Sequence, residues 1–468
     1  MTASPAVRAW THQEAARLFV LDLWKRGGRG AMLAMIMGSG KTRVAINLVN
    51  ALGVAVVLIL CPRRVVEVWR VQFQQYSEHP YEFVALDDRI ATNKEKTLLA
   101  RQMIAWAKER GQKLAICINY ESARIEPFAS WALKTVWPLV ITDECHRLKG
   151  ATGRTSKFVS HLALRSVYRL GLTGTPMPHQ PLDIWGQFRF LDRNILDPTY
   201  GSFKLRHAVM GGWYGKQIVE WKDLDQLYAK FRRIAFEVGE EALDLPPEID
   251  QTLSADFTPE GARIYGEMEN EMVAWIKDME GRGVEVVAAN ALVKLRRLQQ
   301  ITGGSLPDDL GEPVQIDNAK EALLTEFLED VGEEPVVVFA IHKADLAAIH
   351  RAAAANSLAS SEISGTRDEL REWNGGSASV LAVQIQSGGE GIDLTRSRIA
   401  VYYSHGFSLA QYLQSRFRVR RPPQKRPCAF YHLHIRDSID QYVLDAVLDR
   451  RDLIDSVLTG LKKKEKKS

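Results

Sequence analysis

Six consecutive residues, Met37-Gly38-Ser39-Gly40-Lys41-Thr42, carry the first chemistry legible in this chain. They stand between a strand-like apolar run at residues 31–37 and a helical pattern at 42–52. In that context the amides of a glycine turn and a helix N-terminus cradle phosphate. A Cβ at position 38 or 40 would obstruct a chain that wraps a phosphate; Lys41 brings a mobile cation and Thr42 a hydroxyl suited to magnesium. Met35 stands where the full G-x-x-x-x-G-K-[ST] pattern has its first glycine, and a glycine turn that simply caps a helix is the alternative for this segment alone.

The second candidate is Val140-Ile141-Thr142-Asp143-Glu144-Cys145-His146, an apolar strand running into two adjacent carboxylates. An aspartate at a strand end can hold magnesium through water while the next carboxylate orients and activates the attacking water, a division that phosphoryl transfer requires. Taken alone the pair also suits a solvated strand-to-loop turn. Beside the phosphate loop it reads as the second half of a nucleoside-triphosphatase site.

Such residues need a sheet to hold them. Short β-rich runs at 54–60, 114–118, 139–142 and 167–172 alternate with helical patterns, the signature of βα units around a parallel sheet. After Pro246-Pro247 the pattern turns to long helical stretches at 258–281 and 286–301. Strand-like runs resume at 335–340, 380–386, 399–404 and 429–433, and an amphipathic helix is expected over 437–458. The reading is an α/β chain of two lobes, 1–244 and 245–468, with insertions at about 194–243 and 258–302.

Length and composition agree. A chain of 468 residues exceeds one ordinary core, and 46% hydrophobic with 25% charged residues excludes disorder. The longest apolar run, 51–61, falls short of the roughly 20 residues a membrane helix needs. The first eight residues lack the features of a secretory signal, so an intracellular, cytoplasmic home is expected. Cys61, Cys117, Cys145 and Cys428 match neither a zinc spacing nor a disulfide framework. A net charge of +4 permits an anionic partner, and local clusters must decide. The strongest is Arg416, Arg418, Arg420, Arg421, Lys425 and Arg426; the basic tail 461–468 reads as a solvated end.

These residues resemble the DExH-type helicases and translocases of superfamily two, and within it the Swi/Snf-like ATPases. Trp10-Thr11-His12-Gln13 is similar to the adenine-reading glutamine motif, Leu60 to Trp69 to motif Ia, and Ile118 to Ser122 to the DNA-contacting segment that follows. Leu172-Thr173-Gly174-Thr175-Pro176 resembles motif III in its Swi/Snf form, and Ser387 to Thr395 resembles motif V. In the segment like motif VI, Gln414, Arg418, Arg421 and Gln424 fall at the family spacing, although Pro423 replaces the usual glycine.

The resemblance implies two RecA-like lobes, ATP and Mg2+ as cofactors, and DNA, duplex before single-stranded, as partner. It implies ATP contacts at His12, Gln13, Met37, Gly38, Ser39, Gly40, Lys41, Thr42, Gly391, Asp393 and Gln414, with magnesium on Thr42 and Asp143. The catalytic set would be Lys41, Glu144, Arg418 and Arg421, the arginines meeting the γ-phosphate from the second lobe. DNA would meet Pro62, Arg63, Arg64, Tyr120, Thr173, Thr175, Ser387, Gly388 and Arg416. Lys294, Arg296, Arg297 and the Trp213-Tyr214 pair read as solvated and locally packed residues first. The expected activity is DNA-stimulated ATP hydrolysis driving translocation without strand separation. A strand-separating DNA or RNA helicase, a slow nucleotide-gated clamp and the motor subunit of a restriction or defence complex remain as alternatives. Gln13 so near the start and motif VI so near the end suggest a bare motor of bacterial or phage type.

Overall fold

The computed structural model describes residues 9–178, 180–211, 217–279, 284–308, 310–388 and 392–448. The chain forms two compact units, 1–244 and 245–468.

In the first unit the strands are β1 (Gly30–Met35), β2 (Val56–Cys61), β3 (Tyr81–Leu86), β4 (Lys113–Asn119), β5 (Trp137–Asp143) and β6 (Ser166–Thr173). A hairpin, β7 (Ala208–Gly211) with β8 (Gln217–Trp221), precedes β9 (Ala235–Val238). The main sheet runs β3-β4-β2-β5-β6-β1-β9, parallel at every pairing. Alternate residues explain why these runs are apolar throughout. Leu58, Leu60, Ile116 and Val140 enter the core on one face, while Val57, Ile59, Cys117 and Ile141 enter the core on the other.

The expected insertion at 194–243 needs one correction. Its last strand, β9, belongs to the sheet itself, pairing Met32↔Ala235 through Met35↔Val238. Trp213 and Tyr214 lie outside the described residues.

The second unit contains β10 (Glu248–Ala255), the small pair β11 (Ser305–Pro307) and β12 (Pro313–Gln315), then β13 (Val336–Ala340), β14 (Ser360–Ile363), β15 (Val380–Gln384), β16 (Ile399–Tyr402) and β17 (Cys428–Ile435). Its main sheet is also parallel, ordered β10-β17-β16-β13-β15-β14. Here too the sequence misleads at one point: the residues after Pro246-Pro247 enter this sheet as β10 before the helices begin. The helices Pro259–Met279 and Val284–Thr302 follow and pack, through Tyr265, Leu295, Leu298 and Ile301, against Ile439 and Val443 of the helix Ile439–Leu448. No helix among the described residues is long and apolar enough to cross a membrane.

Candidate nucleotide site

β1 delivers the chain to the phosphate loop, and the helix Lys41–Leu52 receives it. Between them Gly38 and Gly40 take φ of 80° and 83°, the left-handed region that glycine enters without strain. Gly40 is also required by what faces it. A Cβ there would fall 2.2 Å from Nε2 of Gln13.

Gln13 comes from the helix Thr11–Lys25 and is 2% exposed. Its Nε2 donates to the Ser39 carbonyl at 3.0 Å, and its Oε1 accepts from the Trp10 N–H at 3.1 Å. His12 Nε2 lies 2.9 Å from the same Ser39 carbonyl. The glutamine expected on the adenine edge therefore also clasps the phosphate loop, with one amide N–H spent there and one acceptor position spent on Trp10. Ser39 Oγ donates to Ile36 O at 2.6 Å, and Lys41 Nζ donates to Met35 O at 2.9 Å, so strand end and loop are tied together. Thr42 is half-buried in the first turn of the helix.

β5 ends two strands from β1 with Asp143 and Glu144, both buried. Asp143 Oδ2 accepts from the Trp69 indole N–H at 2.9 Å, its Oδ1 accepts from the Glu144 N–H at 2.9 Å, and its carbonyl accepts from Tyr120 OH at 2.7 Å. Burial first, then the charge of Glu144, pushes the Asp143 carboxyl up to about 6, against the Trp69 hydrogen bond and the positive charge of Lys41. Glu144 turns off the strand with φ of 50°. Its Oε2 lies 3.3 Å from His146 Nδ1, which lies 3.0 Å from Thr173 Oγ1 at the end of β6. A Cβ on Gly174 would stand 3.2 Å from Met37 Cγ, so the loop after β6 rests on the phosphate loop. The ends of β1, β5 and β6 thus bring Lys41, Asp143, Glu144, His146 and Thr173 into one site.

In the second unit the helix Leu409–Val419 buries Gln414, Arg416 and Arg418. Leu394 N–H donates to the Arg418 carbonyl at 3.0 Å, and Gln424 Nε2 donates to Thr395 O and Ser397 O, each at 3.0 Å. The segment like motif VI is thereby stitched to residues 392–397. Asp393 is exposed, with Oδ1 accepting from Thr395 N–H and hydroxyl. Arg421 is half-buried, and its Nε is buried without a hydrogen bond among the described residues. Gly391 lies outside the described residues.

Four residues expected on DNA, Pro62 among them, are buried. Tyr120 is 1% exposed and serves the Asp143 carbonyl; Thr173 is fully buried against His146. Arg416, 9% exposed, is held by Asp250 at 2.9 Å and Glu248 at 2.8 Å over the Phe430 ring. A desolvated guanidinium demands such partners, so a sequence cluster of arginines is divided between core and surface. Arg420 donates to Pro246 O at 2.8 Å, and Arg426 pairs with Glu334 at 3.1 Å. Pro62 is buried, Arg64 and Thr175 are half-buried, and Arg63 is exposed beside Asp88. Ser387 and Gly388 end the short helix Ile385–Gly388. Arg296 is exposed, with Lys294 and Arg297 half-buried.

Trp69 and His146, which close the segment like motif Ia and the Asp-Glu-Cys-His segment but carried no assigned role, are the side chains that meet Asp143 and Glu144. Trp69 stands four residues before Phe73 and reads as core, which it also is.

Fold and site together define a phosphate-loop nucleoside triphosphatase of α/β type. Residues 12–303 match the SNF2-related domain, and the chain belongs to that family. It is 26% identical over 355 residues to protein p41 of Acyrthosiphon pisum secondary endosymbiont phage 1, covering 71% of this chain and 75% of p41. It is 21% identical over 452 residues to an uncharacterized ATP-dependent helicase of Mycoplasma genitalium, covering 92% of this chain and 40% of that protein. It is 26% identical over 208 residues to the DNA excision repair protein ERCC-6-like of Mus musculus, covering 43% of this chain and 16% of that protein. The chain thus spans less than half the length of the last two. Among solved structures it is similar to the Sulfolobus solfataricus SWI2/SNF2 ATPase core in complex with dsDNA, at 18% identity and a TM-score of 0.44, covering 98% of this chain and 96% of that one.

Proposed function

We propose that this chain is a DNA-dependent ATPase that couples ATP hydrolysis to movement along duplex DNA. The observation that carries the reading is the buried Asp143-Glu144 pair at the end of β5, beside Lys41 and the glycine loop, in a member of the SNF2-related family. The loop amides and Lys41 hold the phosphates of ATP. Thr42 and Asp143 are the groups that would hold magnesium, which supplies charge neutralisation at the phosphates. They fit it: both are oxygen donors, and each Asp143 oxygen keeps a lone pair beyond the hydrogen bond it accepts. Glu144 orients the attacking water and takes its proton, while His146 fixes that carboxylate and links it to Thr173.

Arg418 and Arg421 suit the role of planar cations for the γ-phosphate that the family resemblance implies, a contribution worth roughly 10³ to 10⁵ in rate. The Nε of Arg421, without a hydrogen bond among the described residues, suits that task. ATP drives the motor by its higher affinity for the arrangement in which these arginines reach it. DNA is held mainly through phosphates, so its binding weakens steeply with salt. Relatives named for ATP-dependent helicase and DNA repair roles support the reading.

The test is steady-state ATP hydrolysis with no polymer, duplex DNA, single-stranded DNA or RNA, with Lys41→Ala as control. Duplex-stimulated, Lys41-dependent turnover is expected. Preference for single strands or RNA would put an unwinding helicase in its place, and equal turnover by Lys41→Ala would sink the site assignment.

A further inference from the structure

The helix Ile184–Leu191 is apolar almost all round, and Gln187, fully buried, is its one buried polar side chain. A buried amide is costly unless its N–H groups and its oxygen are engaged, so its partners matter. Gln187 Nε2 donates to the Pro176 carbonyl at 2.6 Å and to the Asp183 carbonyl at 3.0 Å, while its Oε1 accepts from Cys145 Sγ at 3.3 Å. Asp183 lies one turn back along the same stretch of chain. Cys145 and Pro176 belong to two different loops: Cys145 follows Glu144 directly after β5, and Pro176 stands three residues beyond Thr173, the end of β6.

The thiol suits the part of donor. Burial first, then the charges of Glu144 and Asp143, hold the Cys145 thiol well above its usual range, so it keeps its proton. Its place is confined as well. A Cβ on Gly171 of β6 would stand 3.0 Å from Cys145 Sγ, and one on Gly186 would fall 2.0 Å from the Leu148 carbonyl, so the helix lies directly against the short turn Cys145–Leu148. Glu144 has φ of 50°, a left-handed angle that a residue other than glycine keeps only where its surroundings impose it. On one side Asp143 is tied down by Trp69 and Tyr120. On the other, Gln187 anchors Cys145, and the same amide makes that anchor depend on where the loop after β6 lies.

We propose that Gln187 is a positioning residue for ATP hydrolysis: by joining Cys145 to Pro176 it fixes the backbone from which Glu144 reaches the attacking water. This rests on the reading of Glu144 as the base. Gln187 touches neither nucleotide loop nor carboxylate, so its effect falls on the rate of the chemical step and not on the binding of ATP.

Steady-state ATP hydrolysis by the full chain with duplex DNA, measured well below each variant's melting temperature, tests this. Gln187→Met keeps the length of the side chain and removes the amide. Its kcat should fall by about 10- to 100-fold, the loss that follows a small misplacement of a reacting group, with the KM for ATP within about twofold of wild type. Cys145→Ala should also lower kcat, whereas Cys145→Ser, which keeps a donor, should stay near wild type. The double variant Cys145→Ala with Gln187→Met should be no slower than Gln187→Met, because their shared bond is lost only once. A lowered melting temperature with wild-type kcat in Gln187→Met would overturn the proposal and leave the amide a matter of packing; so would losses that multiply in the double variant. Glu144→Gln, run beside them, separates this inference from the reading beneath it. If that variant is slow and Gln187→Met is not, the inference alone fails; if it turns over like wild type, both fail. Should Gln187→Met fail to fold, Cys145→Ala and Cys145→Ser decide, and equal kcat in the two overturns the proposal.

Discussion

Replacing Gly40 with alanine tests whether Gln13 is a working part of the phosphate loop. The φ of 83° costs an L residue about 1–2 kcal/mol. The new Cβ would also stand 2.2 Å from Nε2 of Gln13, so the amide must leave and both of its hydrogen bonds go with it. At about 1 kcal/mol each, those bonds bring the whole cost of Gly40→Ala to roughly 3–4 kcal/mol. Gln13→Ala alone loses the same two bonds and should cost about 2 kcal/mol. In the double variant the bonds can be lost once only, so it should cost roughly 3–4 kcal/mol, with a coupling of about 2 kcal/mol between the sites. Urea unfolding of the four proteins measures this, and for a unit of this size Gly40→Ala should lower the melting temperature by about 10 °C. The KM for ATP should rise in all three variants. Costs that add within about 0.5 kcal/mol would refute the clasp, leaving Gly40 required by its backbone angle alone.

Other expectations are simpler. Glu144→Gln keeps the shape of the site and removes its base, so turnover should fall roughly 10² to 10⁴ while ATP still binds; wild-type turnover would remove Glu144 from that role. Arg421→Ala should cut DNA-stimulated turnover by roughly 10³ with the melting temperature unchanged. Arg416→Leu should do the reverse first, lowering stability on the order of 2 kcal/mol by stranding Asp250, and an exchange of these two outcomes would contradict the division of the arginine cluster. Burial pushes His434 down to about 4, with Lys320 and His432 adding to it against the favourable charge of Asp440. The unfolded histidine titrates near 6.5, so it takes up its proton first as pH falls. Stability should therefore be complete above about 6.5 and be lost toward 4, by up to about 1.4 kcal/mol per pH unit. His434→Leu should flatten that slope in melting curves, and an identical slope would refute the assignment.

Much of the architecture could be read from the residues because parallel strands buried on both faces are apolar throughout, as in Val56–Cys61 and Val336–Ala340. β10 escaped notice because it is an edge strand, largely exposed, whose Glu-Ile-Asp-Gln pattern reads as surface. β9 escaped because four residues give too short a run to separate from a loop. At the site, Lys41, Asp143 and Glu144 were legible because chemistry fixes their types. The direction of a side chain is set by partners distant in sequence. Tyr120, Thr173 and Arg416 carry residue types that suit DNA, yet Asp143, His146 and Asp250 claim them.

The position of β1 in its sheet also bears on synthesis. Its neighbours, β6 and β9, follow it by more than a hundred residues, and β9 comes last in the unit. As the chain leaves the ribosome, the apolar run Gly30–Met35 has neither edge partner until most of the unit exists, a costly loop closure that slows folding and exposes a sticky strand. The strand that delivers the phosphate loop is thus among the last to be framed. A nascent chain arrested before residue 235 should hold that loop on a sheet with an open edge, ready for a chaperone before it is ready for ATP.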